Sequence, residues 1–273
     1  MTRSRAFLGA IACPRRVSGA DSAAVTDCGM LSDMIDLLGR GTRGVMVVVA
    51  GAVLVAGCGA DGDSAGGGNS APVTTARERL LLTAQEFPAG TEKVDVPQDR
   101  LQAAAADLAG GLQSATFDPP ECASTQQDLS DATKDLLAQA AVSAVSDERT
   151  GVMYTEFIAG RAGDTKRIVA GNNACPEVVL TSTIEGRRIT TRSKVQNLSA
   201  PAELNGVDAI VYRSTTVSAV GEGKPLTSTA FMGIAVLRGV TVAVRSSTLR
   251  DGADETVFTK VFTDAVDKVR EAA

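Results

Sequence analysis

The sequence contains no histidine and no tryptophan, and its rings amount to two tyrosines and seven phenylalanines. Without histidine, Ser-His-Asp and Cys-His nucleophile arrangements are excluded, and a mixed Cys/His zinc set cannot be completed. So few rings leave scarce stacking platforms for bases or sugars. Basic clusters interleaved with aromatics are absent as well. Glycine-rich phosphate loops and G-x-S-x-G elbows are also missing: Gly221-Glu222-Gly223-Lys224-Pro225 lacks the required spacing and reads as a turn between strands. Ser193 and Lys194 are adjacent rather than spaced as a serine–lysine pair. No catalytic residue, cofactor site or metal site is expected, and the chain does not read as an enzyme.

What is present starts with one uncharged apolar run, Val45 to Cys58, preceded by Arg40 and Arg43. It is shorter than the roughly 20 apolar residues needed to span a bilayer core. Positive flank, short apolar centre and small residues at the end are the order of a secretory signal peptide. Val55-Ala56-Gly57-Cys58 resembles the lipobox of bacterial lipoproteins. That resemblance implies acylation of Cys58 (palmitate among the acyl groups), cleavage just before it and anchoring to the cell membrane. A buried core helix and an uncleaved anchor are the alternative readings, and Gly51 and Gly57 weaken the buried helix, because glycine costs about 1 kcal/mol against alanine inside a helix.

The organisation expected is therefore residues 1–33 as a doubtful leader, 34–57 as the signal peptide, 58–75 as a flexible tether and 76–273 as one extracytoplasmic domain. Residues 1–33 lack helical or strand periodicity, which suggests translation from Met34 or Met30. Arg15-Arg16 lies too far from the apolar run for a twin-arginine signal. The tether is rich in Gly, Ser and Asp and cannot bury enough apolar area to fold. Asp61 and Asp63 lack the glutamate that closes an EF-hand loop.

From Cys58 onward, 21 Lys and Arg stand against 28 Asp and Glu, a formal charge of −7. That balance argues against nucleic acid as a partner. Cys13 and Cys28 fall in the leader and Cys58 at the lipid site, leaving Cys122 and Cys175. Two remaining cysteines in an exported domain suggest one disulfide, with two buried free thiols as the alternative.

Along the domain, a short helix is expected within Thr75–Gln85, an extended stretch at Val94–Pro97 and a helix over Asp99–Leu112. A loop fixed by Pro119 and Pro120 follows, then a helix from Ser130 or Asp131 to about Ser143. After Gly151 the period changes to two. Strands are expected from Val152, at Val178–Thr183, Ile189–Val195 and Val207–Val217, and as the hairpin Leu226–Leu237 and Val240–Thr248 across Arg238-Gly239. Asp164–Asn173 is a further short helix. The polar alternation of Val240 to Arg245 suits a sheet covered on one face. Asp254–Ala272, with an apolar stripe from Val257 to Val269, is a closing helix packed across the sheet. The fold class expected is α+β, an antiparallel sheet packed against helices including a C-terminal one.

The lipobox, the tether, Phe87-Pro88-Ala89-Gly90, Asp118-Pro119-Pro120-Glu121-Cys122, a later paired cysteine and the terminal hairpin-plus-helix resemble an actinobacterial family. It comprises mycobacterial-type lipoproteins similar to the extracellular sensor domain of PknH-like Ser/Thr kinases. The resemblance runs over roughly Leu80 to Ala273 and implies an envelope-facing α+β domain with a cleft and a sensor or binding role. The kinase sensor has two disulfides, whereas this chain has cysteines for one. Two functions are expected on this basis: a module that binds a small envelope ligand, or a lipoprotein that docks another envelope protein. Arg187, Arg188 and Arg192 are candidates to meet an anionic ligand, or else an exposed strand face.

Overall fold

The computed structural model describes residues 71–184, 186–249 and 253–273, with the backbone alone for 104–110 and 184. The expectations for the leader, the signal peptide, Cys58 and most of the tether lie outside these residues.

Nine antiparallel strands form one sheet in the order β1-β3-β4-β9-β8-β7-β6-β5-β2. They are β1 (Glu92–Val94), β2 (Thr116–Asp118), β3 (Ala141–Asp147), β4 (Val152–Ala159), β5 (Glu177–Ile184), β6 (Arg187–Leu198), β7 (Asp208–Val220), β8 (Leu226–Leu237) and β9 (Val240–Thr248). The helices are α1 (Arg77–Leu80), α2 (Gln98–Gln113), α3 (Cys122–Leu137), α4 (Thr165–Ala174) and α5 (Glu255–Glu271). This is the α+β class expected from the sequence, weighted toward sheet.

Strand alternation divides the core in two. On β9, Val240, Val242 and Val244 join the cluster that holds Phe258, Phe262, Val266 and Val269 of α5. Ala243 of the same strand joins Leu129 and Leu136 of α3 and Ile168 of α4. Because neighbouring side chains on a strand point to opposite faces, α5 covers one face and α3 with α4 the other. This corrects the expectation of a sheet with one covered face: β9 is central, and its small polar residues, such as Thr241 at 2% exposure, are buried too. Alternating polarity misleads where the polar partner is a small hydroxyl whose bond is met inside. Thr241 donates to the Arg161 carbonyl at 2.6 Å and accepts from the Gly163 amide.

Further boundaries differ from the expectations. The first helix is one turn only, because the chain after Leu80 leaves the helical region at Leu81 (ψ 144°) and lies along the sheet. The second α3 boundary is the larger difference. That helix begins at Cys122, directly after the Pro119-Pro120-Glu121 turn, and ends at Leu137. Prolines before a helix start cost nothing, since the first amides lack intrahelical acceptors anyway. The chain from Ala141 onward is strand β3, paired along its length with β4. Its alanines and serines carry little strand propensity, so tertiary pairing decides their conformation.

Helix ends follow local chemistry. Asp164 accepts a bond from the Arg167 amide at α4, and Asp254 accepts from the Thr256 and Val257 amides at α5, as N-capping side chains do. At the opposite end of α5, Arg238 supplies the cap. Arg238 (φ 49°) and Gly239 (φ 81°) form the two-residue β8–β9 turn, in which both residues need positive φ. The guanidinium donates to the carbonyls of Val269, Arg270 and Ala272, and to that of Ala71 at 2.9 Å. The first described residues are held at the same place, with Val73 N–H on Arg238 O and Thr74 N–H on Ala273 O.

Cys122, the first residue of α3, and Cys175, just after α4, form a disulfide with Cα atoms 5.8 Å apart. Both are buried beside Phe117 and Val178. The bridge closes a 53-residue separation, for which the chain-entropy model gives about 4 kcal/mol. The double variant Cys122→Ser, Cys175→Ser is expected to unfold at correspondingly lower urea. A change under about 1 kcal/mol would contradict that reading.

Candidate functional site

Two features of the described residues have the chemistry of a site: an open groove beside α4 and a buried carboxylate on β4. The groove has a volume of about 380 Å³ and lies between α4 and the start of β7. Val169 and Ile210 give it an apolar floor, and Thr165, Lys166, Asn173 and Asp208 bring polar groups around it. The spacing Thr165, Lys166, Val169, Asn173 is the three- and four-residue step that keeps side chains on one helix face. Asp208 and Ile210 share a face of β7 because they are two apart.

The rim is fixed by hydrogen bonds. Thr165 Oγ1 donates to Asp208 Oδ1 at 2.7 Å, joining the helix start to the strand. Asn197 of β6 accepts from Asn172 at 2.8 Å and donates to Asn173 at 2.9 Å. Asn172 is 4% exposed and its own carbonyl oxygen has no partner. The groove thus combines an apolar base with one ammonium, Lys166, one carboxylate, Asp208, and one amide, Asn173. This open groove, with an apolar floor and a few polar groups at its rim, has room for a small molecule.

Glu156, in the middle of β4, is fully buried. Its Oε2 accepts from the Leu82 amide at 2.7 Å, and its Oε1 has no partner. Burial pushes the carboxyl up to about 8, against the Leu82 bond and Lys268, while the Glu86 charge adds to the rise. Burial thus favours the protonated, neutral side chain. Ser143 on β3 donates to the Leu82 carbonyl at 3.5 Å, so both backbone groups of Leu82 are held by side chains from the sheet. Leu80, Leu82 and Phe87 bury around this clamp. Glu86 closes it outside by accepting from Lys268 of α5 at 2.6 Å. Burial opposes ionisation of Glu86, but Lys268 and Thr83 outweigh it and hold its carboxyl below the ordinary value. Glu156 is thus a fastening for the N-terminal segment rather than an acid facing a substrate.

The arginines singled out in the sequence lie on β6. Arg187, Arg188 and Arg192 are all exposed, on strands beyond the part of the sheet that α5 covers. Arg192 pairs with Glu177 at 2.6 Å, so the face is solvated and partly self-neutralised. None of them reaches the groove. Ser193 and Lys194 point to opposite faces, Ser193 buried and Lys194 exposed, which separates the two groups of that pair. Among the described residues no cluster of three or more metal-ligating side chains occurs. No helix among them is long and apolar enough to cross a membrane. The groove residues carried no sequence signal, because α4 and β7 are separated by a hairpin and neither segment holds a recognisable motif.

No protein-family model matches the chain, and no curated protein matches it. Among solved structures, the chain is similar to the extracellular domain of PknH from Mycobacterium tuberculosis. That similarity has 15% identity and a TM-score of 0.41, covering 72% of this chain and 97% of that one. It is also similar to a putative uncharacterised protein from Mycobacterium smegmatis, at 12% identity and a TM-score of 0.36, covering 68% and 92%.

Proposed function

We propose that this protein is a membrane-anchored extracytoplasmic lipoprotein whose domain binds a small envelope ligand in the α4–β7 groove, without catalysing a reaction on it. The observation that carries the reading is the groove itself, with Val169 and Ile210 as floor and Lys166 and Asp208 as charged rim. The Cys122–Cys175 disulfide supports export, since such bonds persist in oxidising compartments. The apolar run before Cys58 supports the anchor.

Two substitutions test the halves separately. Cys58→Ala should move the protein from the membrane fraction to the soluble one, and continued retention would refute lipid anchoring. Ile210→Trp fills the floor of the groove without touching the clamp at Glu156. It should abolish recovery of a small molecule with the protein while shifting Tm by no more than a few degrees. Undiminished recovery would place the ligand elsewhere.

One observation favours the second reading, a surface that docks another envelope protein. Val220, Leu226 and Leu249 are exposed at 46%, 52% and 57%, at one end of the neighbouring strands β7, β8 and β9. Cross-linking in the envelope should then capture a partner through this end, and Leu226→Glu should remove it.

A further inference from the structure

Arg245, near the end of β9, is unlike the other charged residues of the domain. It lies on the sheet face of α3 and α4, because its neighbour Val244 belongs to the α5 side. The register places Thr155 of β4 beside it on one flank and Met232 of β8 on the other, with Tyr212 of β7 beyond Met232. Tyr212 is 2% exposed and Met232 is 3% exposed. Arg245 keeps only partial access to solvent. Burial pulls its basicity below that of an ordinary guanidinium, with Tyr212 acting in the opposite direction.

A guanidinium has five N–H donors and does not lose its proton in proteins. One bond is made among the described residues, from Nη1 to the Ser247 hydroxyl at 3.1 Å. Among the described residues no carboxylate lies within ion-pairing distance of it. Arg149, Arg167, Arg192 and Arg270 each have such a partner. None of the Arg245 nitrogens is among the buried atoms without a partner, so the remaining donors are open to a ligand from solvent. Planar donors left unspent match the two oxygens of a carboxylate or phosphate. Thr155 and Ser247, which flank Arg245 and are themselves only partly buried, bring hydroxyl donors to the same place.

We propose that Arg245, with Thr155 and Ser247, is a binding site for an oxyanion, a carboxylate or phosphate group presented on the α3–α4 face of the sheet. It shares no lining residue with the α4–β7 groove, so it stands or falls independently of that groove. The ligand's charged group forms a two-bond contact with the guanidinium, and the hydroxyls take its remaining oxygens. Uncharged analogues are not held.

The test uses the intact protein with inorganic phosphate and, separately, acetate, in chloride buffer at constant ionic strength. Calorimetric titration should show binding to the wild type, Arg245→Gln should weaken it at least tenfold, and Arg245→Lys should fall between. Binding of phosphate alone would assign a phosphoryl ligand, and binding of both a general oxyanion site. Equal affinity of Arg245→Gln, or no binding to the wild type, overturns the proposal. Should Arg245→Gln fail to fold, phenylglyoxal modification of the wild type decides. Phosphate should slow modification of Arg245 at least tenfold while exposed Arg188 reacts unchanged. Equal slowing at both, or none at Arg245, refutes the site.

Discussion

Phe262→Ala is expected to lower the unfolding free energy by about 3–5 kcal/mol, the usual range for deleting a fully buried ring. Phe262 is completely enclosed and stands at the contact between α5 and the sheet. Phe258 stacks on it with ring centroids 6.1 Å apart, and Phe231 of β8 stacks on Phe258 at 5.4 Å. The opposite wall is backbone. A Cβ added at Gly233 would lie 2.6 Å from two atoms of the Phe262 ring, so the ring occupies the space that any other residue at 233 would need. Gly233→Ala should therefore destabilise by overpacking, by about 1–3 kcal/mol. Combining the two substitutions should cost less than their sum, because removing the ring relieves the crowding. Urea unfolding of the four proteins measures this. Additive losses would show that the ring and the glycine do not share one contact.

Glu156→Gln should change the pH dependence of stability more than any surface substitution. The folded-state carboxyl is raised from 4.5 to about 8, so the folded form prefers the proton. The stability that this preference contributes is complete below about pH 4.5 and is lost progressively as pH rises through about 8. At about 1.4 kcal/mol per unit, the whole window amounts to something on the order of 4–5 kcal/mol. Glu86 has the opposite sign: its depressed carboxyl gives stability above its unfolded value that is lost in acid. The two slopes therefore fall in different windows, and the decline above pH 5 belongs to Glu156. Glutamine keeps a carbonyl for the Leu82 amide and does not ionise. The variant should hold a flat stability from pH 5 to 8, at a level lowered by the buried amide N–H groups that then stand where Oε1 has no partner. A wild type with no decline in that range would mean that Glu156 ionises without cost, and that its environment is wetter than the packing shows.

The architecture was largely legible because its strongest signals are local. The stripe from Val257 to Val269 specified α5, the Arg238-Gly239 turn specified the last hairpin, and the period-two segments after Gly151 marked the strands. What escaped was decided by distant contacts. Ala141 to Asp147 is a strand only because β1 and β4 pair with it on either side. Glu156 carries no sequence signal of its own burial beyond the strand alternation of its segment. Its flanking Tyr154 and Ile158 on the same face were the one hint that this face is buried. The second role of Arg238, fastening the end of α5, required the helix to return across the sheet. The same holds for the site. Cysteine arithmetic led to Cys122 and Cys175, but the groove joins residues 165–173 to 208–210, and no spacing rule connects them.

Native mass spectrometry tests the central claim, ligand binding, most directly. The protein would be isolated from cells that export it with its disulfide intact, and its native mass compared with its denatured mass. A discrete excess that disappears on denaturation, and is absent from Ile210→Trp, is the result predicted for a small molecule held in the α4–β7 groove. Equal native and denatured masses under gentle extraction, or the same excess in Ile210→Trp, would contradict it.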